Sequence, residues 1–268
     1  MLENDRRPII CHDSFTIQDY YWSYTLIKDY SSRELTYPED RLPGICAIAK
    51  MVQQMTGDQY LAGIWRSDLP TALLWQSYGD DRATLSDAVH ELNHPSPYIA
   101  PSWSWARGKQ NVILEIESRQ DETSIVEAET FPEDTNNPLG RVKGGYLIIR
   151  GKLRQLRGDK KPSLRLVSTH LETKIMFGDE LAAIASPDWR NPTDLEDFEH
   201  DLCSDTLRGL SMLLLTSQDA DEFGLLLLPK GDGHEWVRAG TFQTNGRARN
   251  PSGHSLFHDS ELRDITLV

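Results

Sequence analysis

The sequence predicts an α+β fold, a helical N-terminal third packed on an antiparallel β-rich C-terminal region of barrel or sandwich-like form. Apolar residues recur at three-and-four spacing in the first third and alternate with a period of two after Pro101. Between Tyr78 and Pro101, Gly79-Asp80-Asp81, His94-Pro95 and Ser96-Pro97 concentrate turn formers and helix breakers, which reads as a connection. The expected division is residues 1–100, helical with the connecting loop, and residues 101–268, rich in strands.

In the first region Thr16 and Asp19 have capping-box spacing, and Ile17, Tyr20 or Tyr21, Tyr24, Ile27 and Tyr30 follow on one aromatic-rich face. Thr36 and Glu39 repeat that spacing, with Pro38 in the first turn, where its missing N–H costs nothing. Pro43 disfavours helical geometry at Leu42, so a restart is expected before Ile45, Ile48, Val52 and Met55, closed by Gly57 as a left-handed cap. Ser67 or Asp68 can cap a third short helix, with Pro70 in its first turn and Leu73, Leu74 and Trp75 as its apolar residues. A short helix from about Leu85 to Leu92 interrupts the connection.

In the second region Val112, Leu114 and Ile116 alternate with Glu115 and Glu117, and Tyr146, Ile148 and Arg150 alternate with Leu147 and Ile149, the pattern of half-buried strands. Leu164 to Val167, Leu210 to Leu215 and Leu225 to Leu228 are further strand candidates. Gly231-Asp232-Gly233 joins the last of these to Trp236 through Phe242 as a hairpin. The acidic stretch Asp188 to Asp205 lacks an apolar period and reads as a surface excursion.

Composition narrows the function classes. With 38% hydrophobic and 26% charged residues the chain buries a core and is expected to fold. A formal charge of -13 repels phosphate backbones and anionic membrane surfaces, so no nucleic-acid or membrane partner is expected. Apolar runs such as Met212 to Leu215 fall far short of the roughly 18 to 20 residues that span a bilayer, and no signal-peptide h-region follows Met1. Three unclustered cysteines, Cys11, Cys46 and Cys203, fit reduced thiols, which points to a cytoplasmic setting with the nucleus not excluded. No cofactor or metal is implied.

Three ordered stretches carry a family resemblance. Trp22 leads through Tyr30-Ser31-Ser32-Arg33-Glu34-Leu35-Thr36 to Asp40-Arg41-Leu42-Pro43. Tyr60-Leu61-Ala62-Gly63-Ile64-Trp65-Arg66-Ser67-Asp68-Leu69-Pro70 continues to Leu73-Leu74-Trp75, and Tyr98-Ile99-Ala100-Pro101-Ser102-Trp103-Ser104-Trp105-Ala106 follows. Together, over residues 20 to 107, they resemble fungal heterokaryon-incompatibility proteins in the region downstream of their HET domain. That domain's tyrosine-rich opening has no counterpart in this sequence. The resemblance implies an accessory role in non-self recognition and not an activity belonging to the HET domain itself.

Five residues inside these stretches are candidate site or structural-signature positions. Trp103 and Trp105 flank Ser104 at strand spacing, forming either a platform for a planar ligand or peptide, or part of the core. Trp65, Arg66 and Asp68 either recognise an anionic group through the guanidinium fork or support their own loop, with Asp68 as an N-cap. Cys11-His12-Asp13 has the residue types of a catalytic triad, but adjacent side chains diverge where a triad needs convergence. His200, Asp201 and Cys203 lack a second cluster at zinc spacing. No catalytic, cofactor-binding or metal residue is assigned. The function expected is a non-catalytic accessory or protein-interaction module with an unidentified protein partner; the alternative is a hydrolase with a carboxylate-lined cleft between the two regions.

Overall fold

The computed structural model describes residues 25–78, 85–108, 111–114, 119–156, 164–168, 173–177, 180–188, 198–200, 209–244 and 255–268. The Thr16–Asp19 capping box, Trp22, Cys11-His12-Asp13, Asp201 and Cys203 lie outside these residues.

The protein is mostly β, which corrects the α+β expectation. Among the described residues strand outweighs helix, 44% against 22%, and no helical N-terminal third packs on the β region. The described residues contain three short α-helices: α1 (residues 25–31), α2 (Cys46–Thr56) and α3 (Leu85–Asn93). Between α2 and α3 the chain forms short strands β1 (Tyr60–Leu61), β2 (Ile64–Trp65) and β3 (Gln76–Tyr78), with 3-10 turns at Arg66–Asp68 and Thr71–Leu74. The helix expected there fails for a physical reason. Leu69, the residue before Pro70, is held extended at ψ 141 and Trp75 is again extended at ψ 147, which leaves room between them only for the 3-10 turn Thr71–Leu74.

Where the periodicity is sustained, the helix forms. α2 buries Ala49 and Val52, and Gly57 closes it at φ +69, donating its N–H to the Gln53 carbonyl at 2.8 Å. The expected capping box at Thr36 and Glu39 is not made; a 3-10 turn Pro38–Asp40 starts there with Tyr37 as its N-cap and no side-chain cap.

The remaining strands are β4 (Asn111–Ile113), β5 (Gln120–Asp121), β6 (Ser124–Pro132), β7 (Val142–Gln155), β8 (Leu164–Ser168), β9 (Thr173–Phe177), β10 (Glu180–Pro187), β11 (Phe198–His200), β12 (Ser211–Gln218), β13 (Asp221–Lys230), β14 (Glu235–Thr244) and β15 (Leu262–Leu267). β4 pairs with β3. The large sheet runs β11-β8-β9-β10-β14-β13-β12-β7-β15, and β15 also pairs in parallel with β14. The pairings from β14 through β13, β12, β7 and β15 back to β14 therefore close a ring of five strands, which removes open edges there.

β12 and β13 are buried on both faces, and this splits the core into two layers. Leu213, Leu215, Leu225 and Leu227 join Leu147, Ile149, Ile265, Leu267 and the tryptophans Trp65, Trp75, Trp103 and Trp105. Met212, Leu214, Leu226 and Leu228 face the other way, onto Val237, Phe242, Phe257 and the alanines of β10.

The hairpin β1–β2 turns through Ala62 at φ +45 and Gly63 at φ +101, a two-residue loop of the kind that needs positive φ at both positions. A Cβ on Gly63 would lie 2.5 Å from Trp105 Nε1. Gly63→Ala is accordingly expected to destabilise the protein by about 2–4 kcal/mol, from strained φ plus overpacking; urea denaturation read by tryptophan fluorescence checks it.

Candidate functional site

The tryptophan-rich motifs form one clasp. Ser104 Oγ donates to the Ala62 carbonyl at 2.5 Å and Trp105 Nε1 to the Gly63 carbonyl at 2.7 Å, so both carbonyls of the β1–β2 turn take donors from the Trp-Ser-Trp segment. Trp75 Nε1 donates to the Trp103 carbonyl at 2.9 Å. Trp103 and Trp105 do not sit on a strand: the chain turns at Pro101–Ser104 and continues as a 3-10 turn Trp105–Arg107, capped by Ser104 Oγ, which accepts from Ala106 N at 3.0 Å. Arg41, buried and in part held by the Ser31 carbonyl at 3.2 Å, lies 5.7 Å from the Trp105 ring. Burial pulls the Arg41 guanidinium down to about 10.

The five singled-out residues occupy different settings. Trp65, Trp103 and Trp105 have 3%, 0% and 1% of their surface exposed. Arg66 is exposed and reaches Gln59 Oε1 at 3.3 Å and the Ala128 carbonyl at 3.4 Å. Asp68 is partly buried and ends the 3-10 turn that Arg66 begins, without capping it.

A second arrangement lies where β14 meets the loop after β10. Arg238, with no exposed surface, donates through Nη1 to Asp188 Oδ2 and through Nη2 to the Trp75 carbonyl, and Nε reaches the Leu73 carbonyl at 3.4 Å. Its guanidinium carbon lies 3.3 Å from the centre of the Trp75 ring, a desolvated cation–π contact. Arg107 Nη2 donates to the same Asp188 oxygen at 2.9 Å. One buried carboxylate thus serves two guanidiniums. Burial lowers the Arg238 pKa to about 10; Asp188 works against that and the neighbouring Arg107 adds to it.

Local sequence places these groups. Asp188 N–H donates to the Ala239 carbonyl at 3.0 Å, tying the end of β10 to β14 beside Arg238. Gly240, at φ +151, lets the strands approach so closely that a Cβ there would lie 2.6 Å from the Ser186 carbonyl oxygen. Arg238 N–H donates to Ser102 Oγ at 3.0 Å, and Ser102 in turn donates to the Val268 carbonyl, so the last strand is pinned at the same point.

Arg107 and Ser102 open onto a cleft of about 50 Å³ between the end of α3, the 95–101 loop and the end of β13, lined also by Glu91, Tyr98 and Lys230. Burial pushes the Tyr98 phenol up to about 12. Among the described residues no group of three or more His, Cys, Asp or Glu side chains could hold a metal, and no helix is long and apolar enough to cross a membrane. Sequence reading missed Arg107, Asp188 and Arg238. The one local signal was a lone arginine inside the small and apolar run Val237-Arg238-Ala239-Gly240.

Asp188→Asn leaves two buried guanidiniums sharing a neutral amide and is expected to cost about 3–5 kcal/mol of stability, measured by urea denaturation. Tyr98 supplies a pH test with a definite sign. Its folded pKa, about 12, lies above the ordinary tyrosine value of about 10, so its stabilising contribution is complete below pH 10 and is lost as pH rises through about 12. At pH 11 the wild type minus Tyr98→Phe difference in tyrosinate absorbance is expected to be small when folded and full in guanidinium.

No protein-family model, curated protein or solved structure matches this chain.

Proposed function

We propose that this chain is a non-catalytic accessory or protein-interaction module related to fungal heterokaryon incompatibility. The observation that supports this reading is the use made of the family-like motifs. Trp65, Trp103 and Trp105 are buried, and the Trp-Ser-Trp segment spends two of its three side-chain donors, Ser104 Oγ and Trp105 Nε1, on the backbone carbonyls of a neighbouring turn, while Trp103 Nε1 is buried without a partner. Side chains committed in this way build a scaffold. A hydrolytic cleft would bring two carboxylates, or a histidine with a polar partner, to one hollow. The cleft beside Arg107 offers one carboxylate side chain, Glu91, and two cations, Arg107 and Lys230.

The test is retention of protein from a fungal lysate by the intact, immobilised chain, with the purified chain included as its own competitor. Reproducible, saturable retention of one partner, or of a second copy, is expected. Repeated failure to retain any protein, itself included, overturns the proposal, and turnover of an ester or glycoside panel that vanishes in Glu91→Gln moves the assignment to a hydrolase.

A further inference from the structure

We propose that the outer face of α3 binds a divalent transition-metal ion of the zinc class between His90 and His94. This goes beyond the interaction-module reading and stands without it. Spacing is the first argument. The run His90-Glu91-Leu92-Asn93-His94 sets two histidines four residues apart. On an α-helix that interval is about one turn, so both side chains rise from one face, the arrangement that lets a helix grip a metal with two imidazoles. The His94 N–H donates to the His90 carbonyl at 2.8 Å, which carries the helical turn of α3 through the second histidine. Leu92 is buried in the second core layer and Val89 packs against that layer. With those two turned inward, His90 and His94 stand on the opposite side, and both are exposed.

Geometry is the second argument. The two imidazole ring centres lie 5.1 Å apart. A zinc ion about 2.1 Å from a histidine nitrogen is roughly 3.2 Å from that ring's centre, so two rings on one tetrahedral ion stand about 5.2 Å apart. The pair therefore already has the ring separation of a chelate. A metal joining it draws on a helix anchored through Leu92 and needs little further ordering of the backbone.

Electrostatics is the third. Both histidines belong to the last turn of α3, where the carbonyl end of the helix dipole favours a cation. Asp87 and Glu91 are exposed acids on the same helix, and the formal charge of -13 draws cations to the chain as a whole. Imidazole donors select zinc, copper, nickel and cobalt over magnesium and calcium, which take oxygen. Among the described residues no group of three or more His, Cys, Asp or Glu could hold a metal, so the site is a two-point chelate with water completing the coordination. Metallohydrolases with this histidine spacing add a third protein ligand. The assignment is accordingly to binding and not to hydrolysis.

The experiment titrates the full chain with zinc chloride and, as the control, magnesium chloride, following the imidazole C–H signals of all the histidines by NMR. Zinc is expected to shift the His90 and His94 signals together and saturably, with one common binding curve, while magnesium leaves them in place. His90→Gln and His94→Gln, each made singly at an exposed position, are each expected to weaken binding at the remaining histidine at least tenfold, because the second imidazole binds intramolecularly at high effective concentration. Should one variant not fold, the other serves alone, and the wild-type titration stands without either. Zinc that moves only other histidines, zinc that moves one of the pair without its neighbour, an equal response to magnesium, or unchanged affinity in a folded variant overturns the proposal. None of these outcomes bears on protein retention in the lysate experiment.

Discussion

The shared carboxylate of Asp188 is the constraint on which the rest of this architecture turns. Removing an aspartate and an arginine from water costs several kcal/mol per ion even after the protein relaxes. Such a cost is tolerated only when geometry is fixed from several directions. Here it is: Arg238 is held by Asp188, by the carbonyls of Leu73 and Trp75, and by the face of the Trp75 ring. The cluster joins β14, the end of β10, the segment 73–75 and the 3-10 turn of Arg107. Slippage of β14 by one residue would turn Arg238 to the opposite face of the sheet and leave Asp188 and Trp75 without it.

Around that point the two core layers divide the work. The double-sided leucine strands β12 and β13 supply apolar area to both layers, while the tryptophan layer also contains polar anchors. Most of those anchors are backbone carbonyls in tight turns, which need buried donors, and indole N–H groups, serine hydroxyls and guanidiniums provide them. An aromatic-rich sequence signature therefore reflects hydrogen-bond accounting as much as hydrophobic burial.

Elements whose information is local were legible in the sequence. α2 and its Gly57 cap follow from apolar spacing and a left-handed glycine, and the turn between β13 and β14 follows from Gly231-Asp232-Gly233. The overall class was not legible, because the runs 60–65 and 72–75 are buried throughout, and periodicity does not separate helix from strand and turn in such short runs. The candidate site was legible only in part. Trp65, Trp103 and Trp105 stood out by composition, yet their partners lie far along the chain: Trp105 finds its acceptor 42 residues away. Asp188 is 50 residues from Arg238 and 81 from Arg107, separations at which no spacing rule operates.

The clasp on the β1–β2 turn has a consequence for assembly. Because the Ala62 and Gly63 carbonyls receive their side-chain donors from Ser104 and Trp105, the tight bend can close early in synthesis but stays unlocked until some forty further residues have emerged. During that interval Ile64 and Trp65 have no Trp-Ser-Trp segment to hold them in place. The side-chain hydrogen bonds that brace the hairpin can therefore form only after a much later part of the polypeptide has been made.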